Sequence, residues 1–394
     1  MKIAILTSGI LPIPAVQGGA VENLTDYYLD FNNLHRLHDI TVYSVWHPDV
    51  ANDPALKSDV NHYIYIKMTG WWAKIKKKIY EKTHQEEYYH YTIEYFFTQA
   101  LKHIKKQKYD IIILENRPGY TLKLKGKTTA KIFYHLHNDL LNKQSKNAGE
   151  LYKEASGIVT VSQYITNRVR TINTTDTKCV TVHNGIDIKA FTADGVAAQI
   201  PGISNDDFII VFSGRINNEK GIVELISAMN LISKNHHIKL LVLGSSFYAN
   251  ANNNNPFAKR LIEIAEPIKD NIIFTGYIPY NNVPTFLRLA NIAVLPSTWD
   301  EPFGLTIAEA QAMGLPIITT RRGGIPEVVT EENAILLNTD DHFIEHLAEA
   351  ILDLYDHPEK RKRMSEASLN RSKLFNKETY AKNFFAALEN IETL

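Results

Sequence analysis

The sequence predicts an α/β protein built on two parallel sheets, and three observations carry that expectation. Short β-branched runs alternate with helical stretches along the whole chain, the pattern of parallel strands joined by crossover helices. At 394 residues the chain is long for one hydrophobic core, so two domains are expected. The rhythm then breaks between Phe191 and Pro201, where Thr-Ala-Asp-Gly and Ile-Pro-Gly-Ile intervene, and a domain boundary is placed there.

Composition narrows the class. Hydrophobic residues make up 44% and charged residues 22%, with a formal net charge of zero. This is the balance of a soluble globular protein rather than of a dedicated nucleic-acid binder. Met1 to Thr7 enters a buried-strand pattern directly and meets Pro12 and Pro14 soon after, so neither a signal peptide nor a membrane span is expected there. The single cysteine, Cys179, cannot form an intrachain disulfide. Its apolar strand context suggests a core thiol, and the cytoplasm is the default compartment.

In the first half the expected strands are Ile3–Thr7, Ile40–Val45, Tyr63–Ile66, Ile111–Leu114, Ile132–Leu136, Ile158–Val161 and Cys179–His183. After the first strand, Gly18 and Gly19 precede a helix and let backbone N–H groups approach a ligand. The same pattern serves turns with no ligand, and the Gly-x-Gly-x-x-Gly dinucleotide spacing is absent. Between Gly70 and Lys82, Trp71 and Trp72 are followed by Lys74, Lys76, Lys77 and Lys78. That composition suits a helix lying on an anionic membrane and equally an ordinary amphipathic surface helix, and both readings stay open. Arg117, just past the fourth strand, is a candidate contact for phosphate or another bound substrate.

In the second half the expected strands are Ile209–Phe212, Leu240–Leu243, Ile272–Thr275, Ile292–Leu295, Ile317–Thr319 and Ile335–Leu337. Ser213-Gly214-Arg215 leaves the first of these, and Lys220 stands near the start of the next helix, where the helix dipole disfavours a cation unless an anion is bound. An arginine fork and a lysine point charge together suit a diphosphate. Two solvated surface cations would read the same way in isolation. The tract Asn250–Asn255 is expected to be a polar surface loop.

The most informative stretch is Ser297–Glu327. A buried strand ends, Pro302 and Gly304 punctuate a turn, and Leu305 to Met313 favours a helix up to Gly314. In a parallel sheet such a loop and helix N-terminus form a ligand crevice suited to an anion. Glu301 sits in the loop, Glu309 follows along the helix, and Ala308, Ala310 and Ala312 leave room beside it. At the end of the chain, Tyr380, Phe384, Leu388 and Ile391 recur at helical spacing, so the last helix docks on an apolar surface.

Taken in order, these pieces resemble the retaining glycosyltransferases of family four, which include bacterial polysaccharide and glycolipid transferases. The residues that carry the resemblance span nearly the whole chain. They are Gly18-Gly19, Asn184-Gly185-Ile186-Asp187, Ser213-Gly214-Arg215 with Lys220-Gly221, Phe274-Thr275-Gly276, Glu301-Pro302-Phe303-Gly304-Leu305 with Glu309-Ala310, Gly314-Leu315-Pro316 and Gly323-Gly324-Ile325-Pro326-Glu327.

The resemblance implies the GT-B fold: two Rossmann-like domains, 1–190 for the acceptor and 191–375 for a nucleotide sugar, facing across a cleft. It also implies that the helix within 376–394 crosses back to the first domain. By the same resemblance Arg215 and Lys220 bind the donor diphosphate, Glu301 holds sugar hydroxyls and Glu309 takes the ribose. Backbone at Gly214, Phe303, Gly304 and Leu305 reaches phosphate or sugar, and Ile278 packs the base. Gly18 and Gly19 approach the phosphate, and His137, at a strand end two residues beyond His135, touches the donor sugar.

The implied activity is sugar transfer from a nucleotide-diphosphate sugar, UDP-linked by expectation, to a glycan or polyprenol-linked acceptor in surface polysaccharide or glycoconjugate assembly. No cofactor or metal is expected, in keeping with the lack of an Asp-x-Asp motif. The expected place is the cytoplasm, at the inner face of the membrane if the tryptophan and lysine segment binds lipid. Two alternatives stay open: a nucleotide-sugar epimerase on the same fold, and a non-catalytic nucleotide-sugar-binding partner of another transferase.

Overall fold

The computed structural model describes residues 1–67, 91–232, 237–244 and 256–392. Trp71, Trp72, Lys74, Lys76, Lys77, Lys78 and the Asn250–Asn255 tract lie outside the described residues, as does the side chain of Ile391. The chain forms two compact units, Met1–Gly185 with Lys377–Leu394, and Ile186–Asn376.

Among the described residues the first unit holds seven parallel strands: β1 (Lys2–Leu6), β2 (Asp39–Val45), β3 (Asn61–Ile66), β4 (Ile111–Glu115), β5 (Lys131–Leu136), β6 (Gly157–Thr160) and β7 (Cys179–Thr181). Their order in the sheet is β3-β2-β1-β4-β5-β6-β7. The described residues of the second unit hold six, also parallel: β8 (Phe208–Ser213), β9 (Ile238–Leu243), β10 (Ile272–Phe274), β11 (Ile292–Leu295), β12 (Ile317–Thr320) and β13 (Ala334–Leu337). Their order is β10-β9-β8-β11-β12-β13. Central strands such as Ile111–Leu114 and Ile292–Leu295 are unbroken apolar runs because they are buried on both faces.

In each sheet the strand order reverses once, between β1 and β4 and between β8 and β11. At such a switch point the loops leaving the two strands diverge and open a crevice at the carboxyl ends. The functional residues are therefore sought there. β7, at the sheet edge, is shorter than the expected Cys179–His183 and only half-buried. Cys179 is correspondingly half-buried rather than a core thiol. Burial and the neighbouring Asp176 still push its pKa up, so it is no thiolate nucleophile.

The first unit closes on itself through the C-terminal helix, Lys377–Glu392, which packs on the first helix, Ala20–His35. Tyr380, Phe384 and Leu388 are buried, and Phe384 stacks on Tyr28 with centroids 4.4 Å apart. This is the apolar surface on which the final helical pattern docks. Full burial of such a ring contributes about 1.5–3 kcal/mol.

Candidate functional site

In the second unit the loops leaving β8 and β11 are stitched together. Ser297 Oγ donates to the carbonyl of Glu219 at 2.9 Å, and the Thr298 amide donates to the same carbonyl at 2.9 Å. The fit demands glycine where backbones cross: a Cβ on Gly221, whose φ is +71°, would lie 1.9 Å from the carbonyl oxygen of Pro296. Gly323 meets the backbone of Glu301 as closely, with a notional Cβ 2.2 Å from its carbonyl oxygen.

This stitching brings Lys220 onto Glu301. The Lys220 ammonium donates to Glu301 Oε1, which also lies 2.9 Å from Ser297 Oγ, whose one proton is shared between this carboxylate and the Glu219 carbonyl. Lys220 belongs to the 3-10 turn Asn218–Lys220, before Gly221 and the helix Ile222–Ile232, rather than to the helix itself. The anion that its position calls for is supplied by the Glu301 carboxylate. Lys220 and Glu301 also line a cavity of about 20 Å³ with Ser213, Ser297, Gly304 and Thr306, room for one water and too little for a sugar. A wider groove of about 350 Å³ opens beyond β12 and β13, lined by Arg321, Arg322, Asn338, Thr339 and Asp340.

Gly304 caps the helix Leu305–Ala312 with φ +104° and no side-chain hydrogen bond, so the first turn's N–H groups have no side-chain acceptor from the cap. Phe303 is buried with its ring edge-on to Phe375 at 5.4 Å, which anchors the turn. Arg215 leaves β8 exposed, beyond Gly214 with its φ of +147°, and has no hydrogen-bond or ion-pair partner among the described residues. An unpartnered guanidinium beside a switch point is suited to an anionic ligand.

Glu309 is buried and accepts from the Tyr280 hydroxyl at 2.9 Å. Burial pushes its carboxyl up to about 7, with Tyr280 opposing. Half-buried Ile278 lies two residues before Tyr280, so the turn after β10 carries both the expected base contact and the partner of the expected ribose contact. Tyr280 was not foreseen, because its partner is 29 residues away in sequence.

The first unit has its own polar cluster at the ends of β4 and β5. Glu115, the last residue of β4, sits in register with His135. It accepts from the Tyr28 hydroxyl at 2.8 Å, from His135 Nδ1 at 3.1 Å and from His137 Nε2 at 2.9 Å. The His137 amide donates to Asn116 Oδ1 at 3.1 Å, and Asn116 is left-handed with φ +55°. Burial alone would raise the Glu115 carboxyl, but the two histidines outweigh it and hold it well below the usual range. Burial and His135 lower His137 to about 4, so it is neutral at pH 7.

Glu115, His135 and His137 bring three ligand atoms within 4.8 Å of one another, a donor set that could hold a metal ion. In the arrangement present, N–H and O–H donors take the carboxylate instead. Glu115 carries the one signal that could have exposed this cluster in the sequence: an acidic residue ending a buried parallel strand. Arg117 is half-buried nearby in sequence, its Nε without a partner among the described residues.

The loop after β1 ends in Gly18 and Gly19, with φ +71° and +112°. Gly19 precedes the first helix, and a Cβ there would lie 2.3 Å from Glu22 Oε2. Burial pushes Glu22 up to about 7, with the charge of Glu115 adding to the effect. The site residues thus fall into separate groups. Lys220, Glu301 and Gly304 meet in one, and Glu309 joins the turn that carries Ile278 in another. Gly18, Gly19 and His137 belong to the other unit.

Two family models match the chain, "Glycosyltransferase Family 4" over residues 32–190 and "Glycosyl transferases group 1" over residues 196–371. Spore coat protein SA of Bacillus subtilis is 28% identical over 382 residues, covering 93% of each chain. The capsular polysaccharide biosynthesis glycosyltransferase CapM of Staphylococcus aureus is 31% identical over 200 residues, 48% of this chain and 49% of CapM. Among solved structures, sucrose-phosphate synthase from Thermosynechococcus elongatus superposes with a TM-score of 0.75 at 19% identity, covering 100% and 99% of the two chains. Anabaena HepE in complex with UDP and glucose gives 0.71 at 17%, covering 99% of each. With two parallel Rossmann-like sheets and a C-terminal helix returned to the first helix, the chain has the GT-B fold and belongs to the retaining glycosyltransferases of family four, which transfer sugar from a nucleotide sugar.

Proposed function

We propose that the protein transfers a sugar from a uridine-diphosphate donor to a glycan or polyprenol-linked saccharide in surface polysaccharide or glycoconjugate assembly, without a metal. The observation that carries the donor half of this reading is the switch point of the second sheet. There Lys220, Glu301, the uncapped turn at Gly304 and unpartnered Arg215 leave the ends of β8 and β11. The uridine base is supported by the UDP and glucose bound in the Anabaena neighbour. The acceptor class is supported by the capsular polysaccharide relative.

As glycosyl transfer proceeds, positive charge grows on the sugar and negative charge on the leaving diphosphate. Arg215, Lys220 and the Gly304 turn stabilise the second charge. For this, Lys220 leaves Glu301, which then holds sugar hydroxyls, and Glu309 exchanges Tyr280 for the ribose. The acceptor attacks on the leaving-group side and a diphosphate oxygen takes its proton. Glu301 positions the sugar and forms no covalent intermediate. The roles of Gly18, Gly19 and His137 toward the donor, and membrane contact at the cytoplasmic face, are parts of the same proposal.

The test is release of nucleoside diphosphate from a panel of nucleotide sugars, with and without lipid-linked acceptors. Acceptor-dependent release that is lost in Arg215→Ala supports transfer by this site. Acceptor-free interconversion of the donor would identify an epimerase. Binding without turnover under every acceptor would identify a non-catalytic partner.

A further inference from the structure

We infer that Glu115 is the residue that positions His137, taking its Nε2–H and so leaving Nδ1 as a bare hydrogen-bond acceptor. The inference rests on the reading above in which His137 touches the donor sugar, and it goes further. It says which face of the imidazole meets substrate and in what state: the ring accepts a hydrogen bond from a hydroxyl and cannot donate one.

The geometry carries the argument. Three groups point at one carboxylate: the Tyr28 hydroxyl on Oε1 at 2.8 Å, His135 Nδ1 on the same Oε1 at 3.1 Å and His137 Nε2 on Oε2 at 2.9 Å. An ionised carboxylate only accepts, so each of the three must donate. A protonated one could donate to a single imidazole and would still need the others as donors. The carboxylate is closed to water, with side-chain exposures of 1% for Glu115 and 1% for His135, while His137 keeps 6%. Burial of this kind makes an unpaired charge costly, and the two imidazoles repay it. The depressed Glu115 and the neutral His137 agree with this assignment.

His135 has a different part. Its Nε2 is buried without a partner among the described residues, against the rings of Phe384 at 4.9 Å and Tyr380 at 6.5 Å. It fills the apolar side of the cluster and braces the carboxylate. His137 is held from two directions, by its ring on Glu115 and by its amide on Asn116 Oδ1. Its Nδ1 has no protein partner among the described residues. A neutral imidazole whose one N–H is committed to a carboxylate offers only a lone pair from its other nitrogen.

Long-range proton–nitrogen spectra of the full chain labelled with nitrogen-15 histidine test this before any turnover. His137 is assigned by the signal lost in His137→Asn. The expected wild-type pattern is the Nε2–H tautomer, and in Glu115→Gln a shift toward Nδ1–H, because an amide can accept at only one of its two ends. Transfer by Glu115→Gln falls about tenfold or more, the worth of one hydrogen bond to substrate.

A wild-type Nδ1–H pattern overturns the inference whatever the activity, even if Glu115→Gln does not fold. Stoichiometric zinc in the purified protein that Glu115→Gln abolishes also overturns it, since a metal-bound Nε2 carries no proton. If the spectrum shows Nε2–H but His137→Ala transfers sugar at the wild-type rate, the sugar contact of His137 is what fails and the tautomer assignment stands.

Discussion

Replacing Lys220 with alanine separates the two demands on the Lys220–Glu301 pair. In the free protein the side chains of Lys220 and Glu301 are 22% and 10% exposed. At contact distance their attraction is about 4 kcal/mol for an effective dielectric near 20. Most of that offsets desolvation, and Ser297 still donates to Glu301 when the lysine is gone. The net cost of Lys220→Ala is therefore about 1–3 kcal/mol, or several degrees in melting temperature at roughly 2–4 °C per kcal/mol.

Glu301→Gln should cost less, under about 1 kcal/mol, because the more exposed ammonium can turn to water. The double variant should be more stable than Lys220→Ala alone, with a coupling of about 1–2 kcal/mol. The ligand response should run the other way. Glu301→Gln releases Lys220 and keeps or tightens UDP binding, whereas Lys220→Ala weakens it by about tenfold or more. Thermal unfolding of the four proteins, with and without UDP, reads both effects. Additive melting shifts together with equal UDP stabilisation in all four would refute the pairing and the hand-over of Lys220 to phosphate.

Three further outcomes follow from named contacts. Glu309 has its carboxyl raised by burial from 4.5 to about 7. The folded chain then holds a proton that the unfolded chain has lost, so its contribution falls between those pH values by roughly 3 kcal/mol. The difference between wild type and Glu309→Gln in denaturant titrations should therefore narrow as pH falls toward 4.5, and a pH-independent difference would contradict the assignment. Gly221→Ala places a Cβ on the Pro296 carbonyl at a positive φ. It should destabilise the second unit by more than about 1 kcal/mol and weaken UDP binding, as calorimetry would show. Phe384→Ala removes the ring stacked on Tyr28, a loss of about 3–5 kcal/mol. Hydrogen exchange should then rise in Ala20–His35, and unchanged protection there would contradict the packing.

The strands were readable because a parallel sheet covered on both faces writes itself as short apolar runs, and each of the thirteen lies on one of those runs. The edge strand β7 was overextended, and Cys179 wrongly placed in the core, because one-sided burial leaves no mark in a three-residue strand. Glycines at Gly221 and Gly323 were visible as turn residues. What they admit, the backbone of Pro296 and Glu301, was not. Contacts between loops of different strands escape sequence periodicity altogether. Lys220 and Glu301, 81 residues apart, carry separate expected roles in the sequence and meet as an ion pair in the structure. His137 was singled out at a strand end, while Glu115, on the neighbouring strand, went unnoticed because only the register of β4 on β5 joins them.

In the proposed function the second unit grips a nucleoside diphosphate through its phosphates, and Arg215, exposed and without a partner among the described residues, receives them. Calorimetric titration of UDP and of uridine into wild type and Arg215→Ala tests it most directly. The substitution should weaken UDP by about tenfold or more and leave the weak binding of uridine where it was. Equal UDP affinity in the two proteins would contradict it.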